Sequence, residues 1–181
     1  MWNVPGPKLV AIAAISAVLF ALGLIVTERF GEIPVDIDWK PFFLVYLLIA
    51  LLPFGSPTLA LGLGAALGEG FLDILEGYEL DDPFGFVGYV VGFFVAGMFF
   101  ANQPGKWFKI TVGTIIGALV QAAFEGAALL LLDGEAFNVA LRSAGGNTVT
   151  HGIILGAIPT LILVPLFRGR IERLLGFAPA E

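Results

Sequence analysis

Long apolar runs, separated by short segments rich in polar residues, glycine or proline, limit what this chain can fold into. Residues 9–26 and 84–101 contain no charged residue at all, and a helix needs about 20 mainly apolar residues to cross a bilayer. The hydrophobic fraction of 58% exceeds the roughly 45–50% of soluble domains, which could not bury that much apolar surface. We therefore expect an all-α integral membrane protein.

Six transmembrane helices are predicted, at residues 9–26, 41–52, 58–74, 84–101, 108–132 and 147–167. The second is short, because the sequence PFGSP at 53–57 interrupts it. Residues 136–146 are predicted as a lid or a plain loop, in which Gly145 and Gly146 act as a hinge or as a helix-start turn. No run alternates apolar and polar residues as a membrane β-strand would. Six spans and their loops use most of the 181 residues, so residues 1–181 are expected to form one transmembrane domain.

The positions of Lys and Arg predict the orientation, because cytoplasmic loops carry more of these residues. With the N-terminus inside, six basic residues fall on the cytoplasmic side: Lys8, Lys106, Lys109, Arg168, Arg170 and Arg173. Three fall outside: Arg29, Lys40 and Arg142. We therefore expect both termini in the cytoplasm and a multi-pass protein of the plasma membrane.

Charge and composition exclude several classes of function. The net charge is −6, which argues against nucleic acid as a partner, because phosphate binding needs a basic face. The chain has no Cys and a single His, so thiolate chemistry and His-rich zinc sites are excluded. Most acids lie in two stretches, 28–38 and 76–82, which are predicted as solvated loops.

Polar residues inside the predicted spans are the candidates for function, because an ionisable group in the bilayer is costly unless it is paired or faces water. They come in pairs four residues apart: Glu69 with Asp73, Gln121 with Glu125, and Asn147 with His151. Each pair lies on one face of its helix. With the predicted orientation, all three faces fall in the outer half of the membrane.

Two interpretations of these faces remain open. The residues either bond helices to one another and meet water at the interface, or they line a ligand pocket that opens to the outside. Such a pocket is rich in acceptors and suits a cationic or amine-bearing ligand, without a metal or other cofactor. Trp39 would stand at its mouth, for stacking or cation–π contact, unless it is an interfacial anchor.

Small residues recur on the first helix at Ala13, Ala17 and Ala21. A stripe with this spacing lets another helix approach closely. It serves either packing inside the protein or contact with a partner.

The order of these segments resembles the substrate-binding S components of energy-coupling factor (ECF) vitamin transporters. The likeness rests on five segments: AIAAISAVLFA (11–21), PFGSP (53–57), GEGFLDIL (68–75), DPFGFVGYVVGFFVAGMFF (82–100) and PLFRGRIERLL (165–175). It extends to an Asn-containing turn at the start of the last helix. The resemblance implies six helices with both termini in the cytoplasm.

The resemblance also implies a function. Such a protein captures a vitamin or related micronutrient from outside, and works with a transmembrane coupling protein and two cytoplasmic ATPases. Ala13, Ala17 and Ala21 would dock onto the coupling protein. The chain has no GxxxxGK[ST] phosphate loop, so ATP would be hydrolysed by the partners. The N-terminus, Met1-Trp2-Asn3, lacks the His of the family's metal-transporting branch, so nickel and cobalt are not expected. Thiamin or its pyrimidine precursor matches the predicted pocket best.

Two other classes of function stay open. An intramembrane hydrolase or metal-dependent enzyme could use Glu69, Glu125 and His151 as ligands or as acid and base, although no HExxH or GxSxG motif is present. A small channel, carrier or structural subunit could use the same acids to line an ion path. Binding of an organic micronutrient would separate the S-component interpretation from both.

Overall fold

The computed structural model describes residues 3–31 and 37–179, apart from the side chain of Glu28. These residues form helices joined by loops, with no β-strand among them. The helices are α1 (Gly6–Thr27), α2 (Phe42–Leu51), α3 (Ser56–Glu76), α4 (Asp82–Phe100), α5 (Trp107–Leu131), α6 (Phe137–Val149), α7 (Ile158–Phe167) and α8 (Ile171–Leu174), with a short 3-10 turn at Glu28–Phe30 and a π-helical segment at Thr150–Ala157. Met1, Trp2 and part of the acidic stretch 28–38 lie outside the described residues.

Five helices are long and apolar enough to cross a membrane, so the prediction of a helical membrane protein is confirmed. They are α1, α3, α4, α5 and the continuous helix Phe137–Phe167, which joins α6, the π-helical segment and α7. The remaining predicted span, α2, has ten residues and measures about 15 Å, half of the roughly 30 Å hydrocarbon core. Five of the six predicted spans therefore correspond to helices long and apolar enough to cross a membrane, and six transmembrane helices stay a prediction.

The start of the last helix was predicted wrongly. It begins at Phe137, ten residues before Asn147, so residues 136–146 form neither a loop nor a lid. Gly145 and Gly146 discouraged a helix here because of their low helix propensity. Packing of one face outweighs that propensity: Ala140, Ser143 and Asn147 are buried, and a methyl group on Gly126 of α5 would touch the backbone of Ala140.

The core of the bundle surrounds α2. Eight of its ten residues are buried, and the rings of Phe42 and Tyr46 pack with Phe20, Tyr89 and Phe93 from α1 and α4. The buried Tyr46 hydroxyl donates a hydrogen bond to the Thr114 carbonyl at 3.0 Å, because a buried donor without a partner is costly. A transmembrane helix at the edge of a bundle presents one side to lipid, whereas α2 is packed against aromatic side chains of its neighbours.

Close helix contacts depend on glycine at two positions of α3. A methyl group on Gly64 would collide with the Ala13 carbonyl, and one on Gly68 with the Ala17 carbonyl. Part of the alanine stripe on α1 is thus used for packing inside the protein. The side chains of Ala13, Ala17 and Ala21 remain only half-buried, and a docking role for them stays a prediction.

The two ends of the bundle are each marked by a lysine. At one, the Lys8 end, Lys8 Nζ donates to the Gly176 carbonyl at 2.7 Å and lies 3.4 Å from the centre of the Phe177 ring. The start of α1 and the segment after α8 therefore meet at the same end. The opposite end, the Lys40 end, holds the loop before α2 together with the C-terminal parts of α3 and α5.

Candidate functional site

A buried lysine lies at the centre of the polar residues of the Lys40 end. Lys40 Nζ is 2.9 Å from Glu69 Oε1, 2.9 Å from Glu125 Oε1 and 3.1 Å from Asp38 Oδ2. The nitrogen also lies 5.4 Å from the centre of the Tyr89 ring. These contacts join α3, α4, α5 and the loop before α2 through a single ammonium group.

Asp38 extends this ion cluster to the last long helix. Its Oδ1 lies 2.5 Å from His151 Nε2, and its backbone N–H donates to Asn147 Oδ1 at 3.1 Å. We use the name Lys40 cluster for Asp38, Lys40, Glu69, Glu125 and His151. The cluster thus contains one ammonium, three carboxylates and one imidazole.

Packing against α6 holds the loop residues of the cluster in place. The Ile37 side chain lies against Gly146, where a methyl group would collide with it. Gly145 has no neighbour in the corresponding space. Glycine at position 146 therefore allows the loop to approach α6 closely, and it does not serve as the predicted hinge.

The π-helical segment positions His151. Ile158 N–H bonds to the Ile153 carbonyl five residues back, and Pro159 has no N–H to offer to a normal helical ladder. Such segments are frequent at functional sites. The His151 ring is fully buried and stacks on Phe42 with ring centres 4.6 Å apart. One face of the ring thus lies on Phe42, and the ring edge that carries Nε2 points to Asp38.

The ionisation of the two loop residues follows from their neighbours. Burial of the Asp38 carboxyl would raise its pKa, but Lys40 and His151 more than offset this and hold the pKa well below its ordinary value. Burial would likewise lower the Lys40 pKa, whereas Asp38, Glu125 and Glu69 together raise it well above the ordinary value. Both groups are therefore charged at neutral pH.

The cluster keeps unused hydrogen-bonding capacity. Among the described residues, Glu125 Oε2 and His151 Nδ1 are buried without a partner. In the same part of the chain, Glu69 Oε2 and the Tyr89 hydroxyl have no partner at ordinary hydrogen-bond geometry, but Tyr89 is near enough to interact with the Glu69 carboxyl group. Buried polar groups of proteins are normally paired. The cluster has more carboxylates than lysines, and some of its oxygens lack a donor within the described part of the chain. These oxygens favour a ligand that brings a positively charged donor.

Two cavities adjoin the cluster. The first, of about 440 Å³, is lined by Glu125 and Tyr89 together with the start of α4. The second, of about 580 Å³, is lined by Asp38 and Trp39. Lys40, Glu69 and Asp73 line both, so the Lys40–Glu69 ion pair lies between the two spaces. Their volumes fall within the roughly 300–1,000 Å³ of small-molecule sites.

Six of the seven predicted site residues come together at this end. Glu69, Glu125 and His151 belong to the Lys40 cluster, Asn147 supports it, and Asp73 and Trp39 line a cavity. Gln121 does not join them. It is fully buried, and its backbone and Cβ lie against Gly88 and Gly92 of α4.

The sequence analysis missed Asp38 and Lys40. Asp38 was assigned to a solvated acidic loop and Lys40 was counted only as an outer positive charge, yet both are bonded inside the bundle. Charge balance was the available signal. Two buried carboxylates on neighbouring helices require a cation, and Lys40 directly precedes a predicted helix at the same depth.

In the described ranges, 3–31 and 37–179, no group of three or more His, Asp or Glu side chains is arranged to hold a metal ion. No family model, no curated protein and no solved structure matches the chain.

Proposed function

We propose that this protein is the substrate-capture subunit of an ECF-type micronutrient importer, with the Lys40 end facing outside and both termini in the cytoplasm. In this proposal a vitamin-like ligand enters the cavities beside the Lys40 cluster. A transmembrane coupling protein and two cytoplasmic ATPases then deliver it across the plasma membrane.

The observation that carries the proposal is the convergence of charged side chains next to two cavities in an otherwise apolar bundle. Charges inside a membrane protein are costly and usually mark a substrate path. The side chains of Lys40, Glu69 and Glu125 are only about 15% exposed, so their pairing is kept inside the protein. The volumes of about 440 and 580 Å³ suit a molecule of vitamin size.

The chemistry of the site favours a cationic or amine-bearing ligand. Three carboxylates face one ammonium, and Glu69 Oε2 and Glu125 Oε2 still lack a donor among the described residues. The Trp39 ring is partly exposed at the second cavity, against Phe30 with ring centres 6.5 Å apart, and offers an aromatic face to a cation. Thiamin, which has a positive charge and an amino group on an aromatic ring, and its pyrimidine precursor, which has the amino group, are the ligands we propose.

The first experiment is mass spectrometry of small molecules released from the detergent-purified protein, followed by thermal shift with a panel of vitamins. We expect a stoichiometric ligand that raises the melting temperature. The Glu69→Gln/Glu125→Gln double variant should lose at least tenfold in affinity, because charge-assisted hydrogen bonds are replaced by neutral ones. Glu135→Gln is the control, since Glu135 is exposed. An empty protein that responds to no vitamin would contradict the proposal.

The docking role of the alanine stripe needs a separate test, because Ala17 also contacts α3. Ala17→Leu should reduce assembly with the coupling protein while ligand affinity is kept. Gly68→Ala disturbs the same helix contact from the α3 side, where no partner is expected. If both variants lose assembly equally, the stripe serves internal packing and the docking role is wrong.

A further inference from the structure

Lys40 lies within ion-pair distance of three carboxylates of the protein. An ammonium group has three N–H donors and no acceptor, and three carboxylate oxygens lie at 2.9, 2.9 and 3.1 Å from Lys40 Nζ. The oxygens come from three separate parts of the chain: the loop before α2, α3 and α5. This arrangement is a complete binding site for one primary ammonium group.

Two consequences concern a ligand. The Lys40 ammonium is already surrounded by three carboxylates, so its charge does not serve to bind a ligand carboxylate or phosphate. The three carboxylates, by contrast, would accept any primary ammonium placed where Nζ lies. The Tyr89 ring, 5.4 Å from Nζ, adds an aromatic face that also favours a cation at this point.

Lys40 also separates the two cavities. It lines both, together with Glu69 and Asp73, and its side chain reaches the carboxylates from a loop and not from a spanning helix. Withdrawal of this single flexible side chain would join the two spaces and expose all three carboxylates to the joined cavity. A ligand that entered there would meet a site already shaped for an ammonium group.

We propose that the Lys40 ammonium occupies the position of the ligand's own primary ammonium group, and that ligand binding displaces Lys40 from the three carboxylates. The lysine is then an internal competitor, which keeps the carboxylates paired while the site is empty. Apparent affinity is reduced by the fraction of molecules in which Lys40 holds the site. This inference rests on the proposed function for ligand capture. It narrows the ligand class to molecules with a primary ammonium group, a class to which thiamin and its pyrimidine precursor do not belong.

Ethylammonium is a suitable probe, because it has the three donors of Lys40 and part of its stem. Lys40→Met removes the competitor and keeps most of the apolar stem. We expect the purified variant to bind ethylammonium at least tenfold more tightly than the original protein by calorimetry. At a hundred times its Kd, the amine should raise Tm by at least about 5 °C.

Two controls separate site binding from general salt effects. Tetramethylammonium has the same charge but no N–H donor, so at equal ionic strength it should leave the Tm of Lys40→Met unchanged. Lys8→Met removes a lysine of the opposite end and should bind ethylammonium no better than the original protein. Equal affinity in the Lys40→Met and original proteins, or equal effects of both cations, would overturn the inference.

Lys40→Met removes the cation from Glu69 and Glu125 and leaves Asp38 with His151 alone, so the variant can fail to fold. In that case the variant is expressed and purified in ethylammonium, which should restore folded protein. Lys40→Met/Glu125→Gln carries one carboxylate fewer and retains Asp38 and Glu69, so ethylammonium but not tetramethylammonium should still raise its Tm. An amine that rescues neither variant contradicts the inference.

The tests of the two proposals fail independently. Ethylammonium binding needs neither a vitamin nor a coupling protein, so a negative vitamin panel would overturn the proposed function and leave the displacement of Lys40 standing. A stoichiometric native ligand without a primary ammonium group would support ligand capture and overturn the displacement.

Discussion

Each end of this protein has a lysine that joins distant parts of the chain, and the two lysines are held in opposite ways. Lys8 donates to a backbone carbonyl in an exposed contact and lies over the Phe177 ring. Lys40 is enclosed by three carboxylates within the bundle. The first contact joins two segments through neutral partners, and the Lys8 charge is left to solvent. The second gathers more negative charge than one lysine neutralises.

This difference separates a structural contact from a site. An exposed pair contributes little, because water and salt screen it. A buried cluster costs desolvation energy that packing alone would avoid, since apolar residues of similar volume are often more stabilising. Charged residues that are buried despite this desolvation cost point to a role in binding. Variants at Lys40 and at Lys8 test this comparison.

The largest effect is expected from Lys40→Met. Removing one partner of a buried ion pair costs about 3–5 kcal/mol, because the remaining charges stay buried without compensation. The Tm of the detergent-purified protein should fall by about 10 °C, as followed by intrinsic fluorescence. Adding Glu125→Gln should recover part of the loss, since one uncompensated carboxylate is removed. A change of less than about 1 kcal/mol would place Lys40 among ordinary surface lysines.

Acid should weaken the Lys40 end selectively. The pKa of Asp38 is lowered by Lys40 and His151 beyond the opposing effect of burial, so its contribution to stability is complete above the unfolded-state pKa of about 3.9. That contribution is lost progressively as the pH falls toward the lower folded-state pKa. Below about pH 5, Tm should therefore fall more steeply in the original protein than in Asp38→Asn. Parallel curves for the two proteins would show that Asp38 is not held as an ion.

A smaller effect is expected where the loop meets α6. A methyl group on Gly146 would collide with the Ile37 side chain, whereas the space beside Gly145 is open. Gly146→Ala should destabilise by about 1–3 kcal/mol and weaken ligand binding, because Ile37 adjoins Asp38 in the chain. Gly145→Ala should be neutral or stabilise by up to about 1 kcal/mol. Equal Tm values for the two variants would contradict this account of how the loop is held.

The smallest effect belongs to the Lys8 end. Lys8→Met removes one exposed hydrogen bond and one contact with an aromatic ring, together worth about 1 kcal/mol or less. Ligand affinity should not change. A loss of ligand binding in this variant would show that the two ends are coupled, and that the Lys8 contact is not purely structural.

Most of the fold could be predicted because the apolar runs have clear ends. The predicted bounds of α1, α3, α4 and α5 differ from the observed ones by three residues or fewer, since Pro, Gly and acidic residues end each run. The segment before Asn147 could not be predicted from propensity, because its helix is stabilised by packing on α5. Tertiary contacts of this kind leave no local pattern.

The candidate site was predictable on its helices and not in its loop. Spacing by four placed Glu69 and Glu125 on inward faces, and both belong to the Lys40 cluster. The same rule chose Gln121, which is buried against α4 instead. Asp38 and Lys40 follow no helical period. The need of buried carboxylates for a cation pointed to Lys40 alone, and no sequence signal pointed to Asp38.

The shortness of α2 has a consequence for how the protein enters the membrane. A ten-residue helix with eight buried residues neither reaches across the hydrocarbon core nor presents a continuous side to lipid. It is enclosed by α1, α3, α4, the π-helical segment and α7, and the loop that precedes it carries Lys40. We therefore expect enclosure of α2 and formation of the Lys40 cluster to occur together, so that a chain in which α2 is not enclosed has no site.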